Sequence, residues 1–141
     1  MIATIISDHR TEVKCYWVKL PTTDRGAAQC GLEMLEGCRG LSEYSMEHFD
    51  FDLRMGIGVD SGRAVVGQVG YYNNTRLTAI GDVVNTAKRV QDLTKEAGTH
   101  LLVPNAVRER VQDRFRFGRE LTTDIRGKAG KHQVSEVLAA T

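Results

Sequence analysis

The sequence predicts an α+β domain, a mostly antiparallel sheet backed by helices, on three observations. Residues 24–40 and 82–97 repeat apolar side chains at helical spacing. The stretches around them alternate apolar and polar residues, or form short apolar runs bounded by glycine and asparagine. At 141 residues the chain is one domain of ordinary size, long enough to bury a single core.

Each element has its own signal. Thr22, Thr23 and Asp24 offer an N-cap to a helix whose Ala27, Ala28, Gly31, Leu32, Leu35 and Cys38 form one stripe, with Gln29, Glu33 and Glu36 opposite. That helix is expected to end near Gly40, leaving the polar residues 42–50 as a connector. Leu53, Met55, Ile57 and Val59 then alternate with Arg54, Gly56, Gly58 and Asp60, a strand with one buried face. Ser61 and Gly62 can turn it into a hairpin with residues 64–69. Asn73 and Asn74 mark another turn, and residues 76–80 return as a short strand. Gly81 and Asp82 start the second helix, with Asp82 as its cap, Val83, Ala87, Val90 and Ala97 inward, and Gly98 as its stop. Residues 100–103 read as a strand, Pro104 opens a brief helix to about residue 111, and Phe115, Phe117 and Leu121 suggest another strand. Residues 127–131 form a basic turn, and residues 134–138 close the sheet. The expected core is Leu32, Leu35, Ile57, Val59, Ala87, Val90 and Leu102, with the helices on one face of the sheet.

Composition excludes several functions. Lys plus Arg number 19 against 18 for Asp plus Glu, and a net charge of +1 gives no field for nucleic acid or a membrane surface. Any phosphate ligand must therefore be held locally. No apolar run reaches bilayer length, and the first residues lack the pattern of a secretory signal, so the chain reads as cytoplasmic. Cys15, Cys30 and Cys38 have neither a disulfide framework nor zinc spacing. Cys30 and Cys38, two turns apart on an apolar face, are expected to be buried thiols. His9, His48, His100 and His132 are scattered without ligand spacing.

The most informative stretch is residues 78–89, Thr-Ala-Ile-Gly-Asp-Val-Val-Asn-Thr-Ala-Lys-Arg, which turns from strand into helix. It places Asn85 and Arg89 four residues apart, on one helical face. An amide and a guanidinium pointing the same way suit phosphate oxygens that gain negative charge during a reaction, although an exposed polar face would look the same. Upstream, Gly56-Ile57-Gly58-Val59-Asp60-Ser61-Gly62 is no dinucleotide fingerprint, because it leads into a strand pattern rather than a helix. Its glycines suit a tight hairpin and close backbone approach. Residues 127–131, Gly-Lys-Ala-Gly-Lys, lack the spacing and hydroxyl of a P-loop and read equally as a solvated turn or a phosphate contact.

Taken together, the glycine-rich strand, Val66-Gly67-Gln68-Val69-Gly70, residues 78–89, Ile125-Arg126-Gly127-Lys128 and the closing residues 134–138 resemble the catalytic domain of class III adenylate/guanylate cyclases. The resemblance covers roughly residues 24–138 and is densest over residues 53–89. It implies a ferredoxin-like βαββαβ palm working as a head-to-tail homodimer or with a partner cyclase domain. It also implies catalytic roles for Asn85 and Arg89, purine reading by Thr78, and phosphate contact by Lys128. The substrate implied is ATP or a related purine nucleotide, with adenine favoured by the threonine hydroxyl.

Family members also hold two Mg or Mn ions on two aspartates, and here the sequence departs. The acids before Asp24 are Asp8 and Glu12, neither in the family's setting, and Lys14 and Lys19 do not match its purine-binding lysine. Residues 1–20 are thus expected to be an atypical N-terminal segment, and residues 21–141 a partial cyclase domain lacking its first strand and helix. No metal ligand is assigned, and no metal is expected on this chain alone. The expected activity is conversion of ATP to cyclic AMP and pyrophosphate when complete, and none alone. The competing expectation is a non-catalytic module that binds nucleotide or a partner domain. A diguanylate cyclase is disfavoured because the chain has no Gly-Gly-Asp-Glu-Phe run.

Overall fold

A computed structural model describes residues 2–8, 14–19, 23–71, 74–125 and 127–141, with side chains from Thr23 onward except that of Asn74. The elements run β1 (Ile2–Asp8), β2 (Lys14–Lys19), α1 (Asp24–Phe49), β3 (Met55–Ser61), β4 (Val65–Tyr71), β5 (Asn74–Ile80), α2 (Asp82–Ala97), β6 (Leu101–Pro104), α3 (Asn105–Val111), β7 (Phe115–Asp124) and β8 (Lys131–Ala140). Six strands form one mixed sheet in the order β2-β1-β3-β6-β8-β7, and β4 with β5 forms a separate two-stranded hairpin. β1 is antiparallel to both β2 and β3, so β2 and β3 run parallel and α1 crosses between them. β3 and β6 are also parallel, joined through the hairpin and α2, with Ile57 opposite Leu101 and Gly58 opposite Leu102.

β3 is the hinge of the architecture, because successive side chains of a strand point to opposite faces. Ile57 and Val59 face α1 and α3, where they join Ala27, Ala28, Leu101, Val103, Val107, Val111, Phe115 and Val137 in the larger core cluster. Gly56 and Gly58 face α2, so closely that a Cβ on Gly58 would lie 2.3 Å from the Ala87 carbonyl oxygen. The smaller cluster on that side is Val90, Leu102, Ile125 and Val134. The helices thus cover both faces of the sheet, not one. β3 is buried on both faces as well, which corrects the expectation of a half-buried strand: Asp60, placed on the solvent face by its alternation, is 8% exposed.

The expected hairpin of β3 with residues 64–69 does not form. A strand covered on both faces sits in the middle of a sheet, and both edges of β3 are taken by β1 and β6. The chain leaves through Arg63 and Ala64 instead, and β4 pairs with β5, Val65 opposite Ile80 and Gly67 opposite Thr78.

Helix boundaries show where local signals succeed and fail. Thr23 caps α1, its hydroxyl accepting from the Gly26 amide at 3.2 Å. The helix then continues past Gly40 to Phe49 and closes at Asp50 in the left-handed region (φ 49). This helix end has no buried face, and its Leu41, Tyr44, Met46 and Phe49 are exposed, so no inward stripe reveals it. Here Tyr44 and His48, one turn apart, stack at 4.1 Å on its surface. Gly98, at φ 64, ends α2 as expected. The cap at the other end of α2 is Gly81, with no side-chain cap bond, and Asp82 is the first helical residue.

In the core, Ile57, Val59, Ala87, Val90 and Leu102 are buried, while Leu32 and Leu35 are half-buried at the margin of the larger cluster. Cys38 is buried but Cys30 only partly, because Cys30 lies to one side of the face that Ala27, Gly31 and Cys38 share. The turn at Asn73, with His9 and Glu12, lies outside the described residues, as do the side chains of Asp8, Lys14, Cys15 and Lys19.

Candidate functional site

Three segments converge at the N-terminal end of α2: its first two turns, the end of β3, and the turn at residues 127–130. Gly81 sits where strand gives way to helix, with extended backbone. A Cβ there would lie 2.9 Å from the Arg63 carbonyl oxygen and 3.0 Å from the Ala64 Cβ, so the close approach requires glycine. From this start Asp82, Asn85 and Arg89 follow at helical spacing on one side of α2. Asn85 is exposed and Arg89 half-buried.

The turn at residues 127–130 is fixed onto that side of the helix. Ile125 is 3% exposed and packs in the cluster with Val90, one residue beyond Arg89. The Lys128 amide donates to the Ile125 carbonyl at 2.9 Å, and Gly127 takes φ 77, a conformation that favours glycine. A Cβ on Gly127 would stand 3.2 Å from both Nη atoms of Arg89, so the guanidinium lies directly against bare backbone. Lys128 Nζ pairs with Asp82 Oδ2 at 3.1 Å. Asn85, Arg89 and Lys128 are therefore gathered at one end of α2.

Thr78 stands apart from them on β5, half-buried, its hydroxyl donating to the Arg76 carbonyl at 3.2 Å. By register it shares a face of the hairpin with Val65, Val69, Tyr71 and Ile80, all exposed.

Asp60 belongs to the same region, and sequence reasoning missed it. Its Oδ1 accepts from the Ser61 amide at 2.8 Å. Burial pushes its carboxyl above the ordinary value of 3.8; the Ser61 hydrogen bond and the Lys128 charge pull it down, Asp82 pushes it up, and Arg110 pulls it down. Arg110 in turn pairs with Asp24 at 3.0 Å, tying α3 to the start of α1. The available signal was an acid directly following two helix-facing glycines on a strand, since a face that admits a helix backbone also buries what comes next on it.

Two further concavities, of 370 and 460 Å³, flank the middle of α1 and share Leu35, Arg39 and His100. They lie on the α1 side of the sheet, away from these groups. Among the described residues no group of three or more His, Cys, Asp or Glu could hold a metal ion, and no helix is long and apolar enough to cross a membrane.

Comparison with known proteins gives a consistent family. Residues 11–138 match the adenylate and guanylate cyclase catalytic domain. Adenylate cyclase 1 of Rhizobium meliloti is 30% identical over 139 residues, which is 96% of this chain and 21% of that protein. The chain thus spans about a fifth of the length of this relative. Among solved structures, the guanylyl cyclase Cya2 superposes with a TM-score of 0.80 at 23% identity, covering 99% of this chain and 71% of the other. The adenylyl cyclase CyaB from P. aeruginosa gives 0.71 at 18% identity, covering 99% and 73%. At these identities the structures establish the fold, the palm of the cyclase catalytic domains.

Proposed function

The chain belongs to the adenylate and guanylate cyclase catalytic domain family, and from that premise we propose that it supplies the asparagine and arginine half of an adenylate-type cyclase site, one that closes ATP to cyclic AMP with release of pyrophosphate. The observation that carries this reading is the guanidinium of Arg89 against the bare backbone of Gly127, with Lys128 next in the chain and Asn85 one turn earlier on α2.

In this reading the ribose 3′-hydroxyl gives its proton to solvent and its oxygen attacks the α-phosphorus, while the bond from that phosphorus to the pyrophosphate oxygen breaks and pyrophosphate leaves. Negative charge grows on the phosphate oxygens as this happens. Arg89 stays protonated and grips two oxygens at once, and a preorganised donor of this kind acts mainly on the transition state. Asn85 orients the ribose, Lys128 offsets charge on the leaving phosphates, and Thr78 reads the purine edge. Adenine is supported by the name of the Rhizobium relative and by the threonine hydroxyl, which can accept from an amino group.

The carboxylates nearest the site do not fit a divalent cation. Asp82 holds Lys128, and Asp60 is buried with its carboxyl pushed toward the neutral form. Magnesium or manganese, with the aspartates that bind it, comes from a partner cyclase domain that retains them, and this chain alone makes no cyclic AMP. The exposed apolar face of the β4–β5 hairpin supports such a partner, with Val65 and Tyr71 more than 70% exposed on the face that carries Thr78.

The test is complementation. Mixed with a cyclase domain that keeps its metal aspartates but has lost its own Asn and Arg, this chain restores cyclic AMP formation from ATP, and Arg89→Ala reduces that turnover about 100-fold or more. Activity of the isolated chain refutes the half-site, and rescue indifferent to Arg89 refutes its role. ATP binding without rescue favours the non-catalytic module instead.

A further inference from the structure

We propose that Asp82 is a positioning residue that parks the Lys128 ammonium away from incoming phosphate, so that a nucleoside triphosphate must open the Asp82–Lys128 pair to engage the site. This rests on the reading above, that phosphate approaches Lys128 and Arg89, and adds a gate to it.

The geometry assigns Asp82 no capping duty. Gly81 occupies the N-cap position without a side-chain bond, and Asp82 points a carboxylate that is 71% exposed at Lys128 Nζ, 3.1 Å away. The base of Lys128 is held independently of that contact. Its amide bonds to Ile125, Ile125 is buried with Val90 and Leu102, and Gly127 is seated on Arg89. Only the flexible lysine stem has to move when the ammonium changes partner.

Opening strands no buried charge. The Asp82 carboxylate stays solvated at the N-terminus of a 16-residue helix, where the aligned peptide dipoles favour an anion. The Lys128 side chain is 30% exposed while paired, and its ammonium trades one oxyanion for another. Asp60 from β3 and Arg110 from α3 also act on this cluster, and Arg89 stands on the same side of α2 as Asp82. A triphosphate arriving there meets two cations, one of which is engaged. Because exposed pairs are weak, the latch biases the lysine and does not lock it, by a factor of about two to five.

The experiment times acylation of each lysine by an amine-reactive ester on the intact chain, read by peptide mass spectrometry, with exposed Lys131 as internal reference. Asp82→Asn should raise the Lys128 rate about two- to fivefold with Lys131 unchanged, and Asp82→Glu, which keeps a carboxylate, should stay near wild type. ATP should then protect Lys128 at a severalfold lower concentration in Asp82→Asn than in wild type, and adenosine should protect neither. An unchanged Lys128 rate in Asp82→Asn overturns the latch. Equal ATP protection in wild type and Asp82→Asn overturns the competition. ATP protection absent from every variant overturns the phosphate-binding reading on which the latch rests.

Discussion

Replacing Gly58 by Ala would place a methyl group 2.3 Å from the Ala87 carbonyl oxygen, 2.4 Å from the Gln91 amide nitrogen and 2.9 Å from the Gln91 Cα. All three are backbone atoms of α2, so no rotamer change can relieve the contact. Ordinary separation requires the helix to retreat from β3 by about 1 Å, against the packing of Val90 on Leu102 and Ile125. Overpacking of this kind costs about 1–3 kcal/mol, and the loss of unfolded-chain entropy from Gly to Ala returns less than about 1 kcal/mol. The net cost is about 0.5–2.5 kcal/mol, and at roughly 4 °C per kcal/mol the melting temperature should fall by about 2–10 °C. Gly67→Ala is the control, because nothing lies within 4 Å of a Cβ there. Thermal unfolding followed by circular dichroism reads both. In the complementation assay Gly58→Ala should also lose turnover, since the helix that moves carries Asn85 and Arg89 and a shift near 1 Å is enough to misplace a reacting group. A Gly58→Ala protein melting within about 1 °C of wild type would refute the claim that β3 and α2 are in backbone contact.

Two stability measurements complete the test of this side of the fold and the other. Burial raises the Asp60 carboxyl above 3.8, so the folded state binds its proton more tightly than the unfolded chain; stability from this group is present at acid pH and lost as pH rises through the raised folded value. Asp60→Asn, which keeps an oxygen for the Ser61 amide, should therefore gain on wild type in urea unfolding as the pH is raised above the ordinary carboxyl value of 3.8, and a difference independent of pH would sink this assignment. Leu101→Ala, at a fully buried position, should cost about 2–5 kcal/mol and Leu35→Ala, at the half-buried margin, clearly less; equal costs in chemical denaturation would refute the ranking of the two sites.

The legible parts of this chain are those where a local rule and the tertiary structure agree. Thr23 as a cap, Gly98 as a stop, the stripe from Ala27 to Cys38 and the alternation through Ile57 and Val59 were readable because burial on one face leaves a period in the sequence. The last turns of α1 were not, because a helix end exposed all round leaves none. The pairing of β3 failed for a different reason. Alternation around glycine resembles a half-exposed strand, yet Gly56 and Gly58 are small because α2 lies directly on them, and that information is held by Ala87, Gln91 and Thr94, far along the chain. At the candidate site, Asn85 and Arg89 were placed by helical spacing alone. Lys128 needed the resemblance to a family, since the turn that brings it to α2 is closed by Ile125 through a core contact that spacing cannot reveal.

The two faces of β3 also bear on where the candidate site lies. On the α1 side, large side chains fill the space between sheet and helices, so distances there depend on the volume and rotamers of Ile57, Val59 and Leu101. On the α2 side, glycines bring the helix backbone onto the strand backbone, and the position of the helix is set by main-chain contact with little side-chain freedom between. A catalytic group on α2 inherits that precision, while one on α1 would not. The same economy recurs at Gly127, where bare backbone in a left-handed turn seats the Arg89 guanidinium, and at Gly81, where it meets Arg63 and Ala64. Three glycine contacts, with Val90 against Ile125, thus fix the end of α2 relative to β3, to the base of the hairpin and to the Lys128 turn. What they leave free is the long side chain of Lys128, which makes its pairing with Asp82 the adjustable part of an otherwise rigid arrangement.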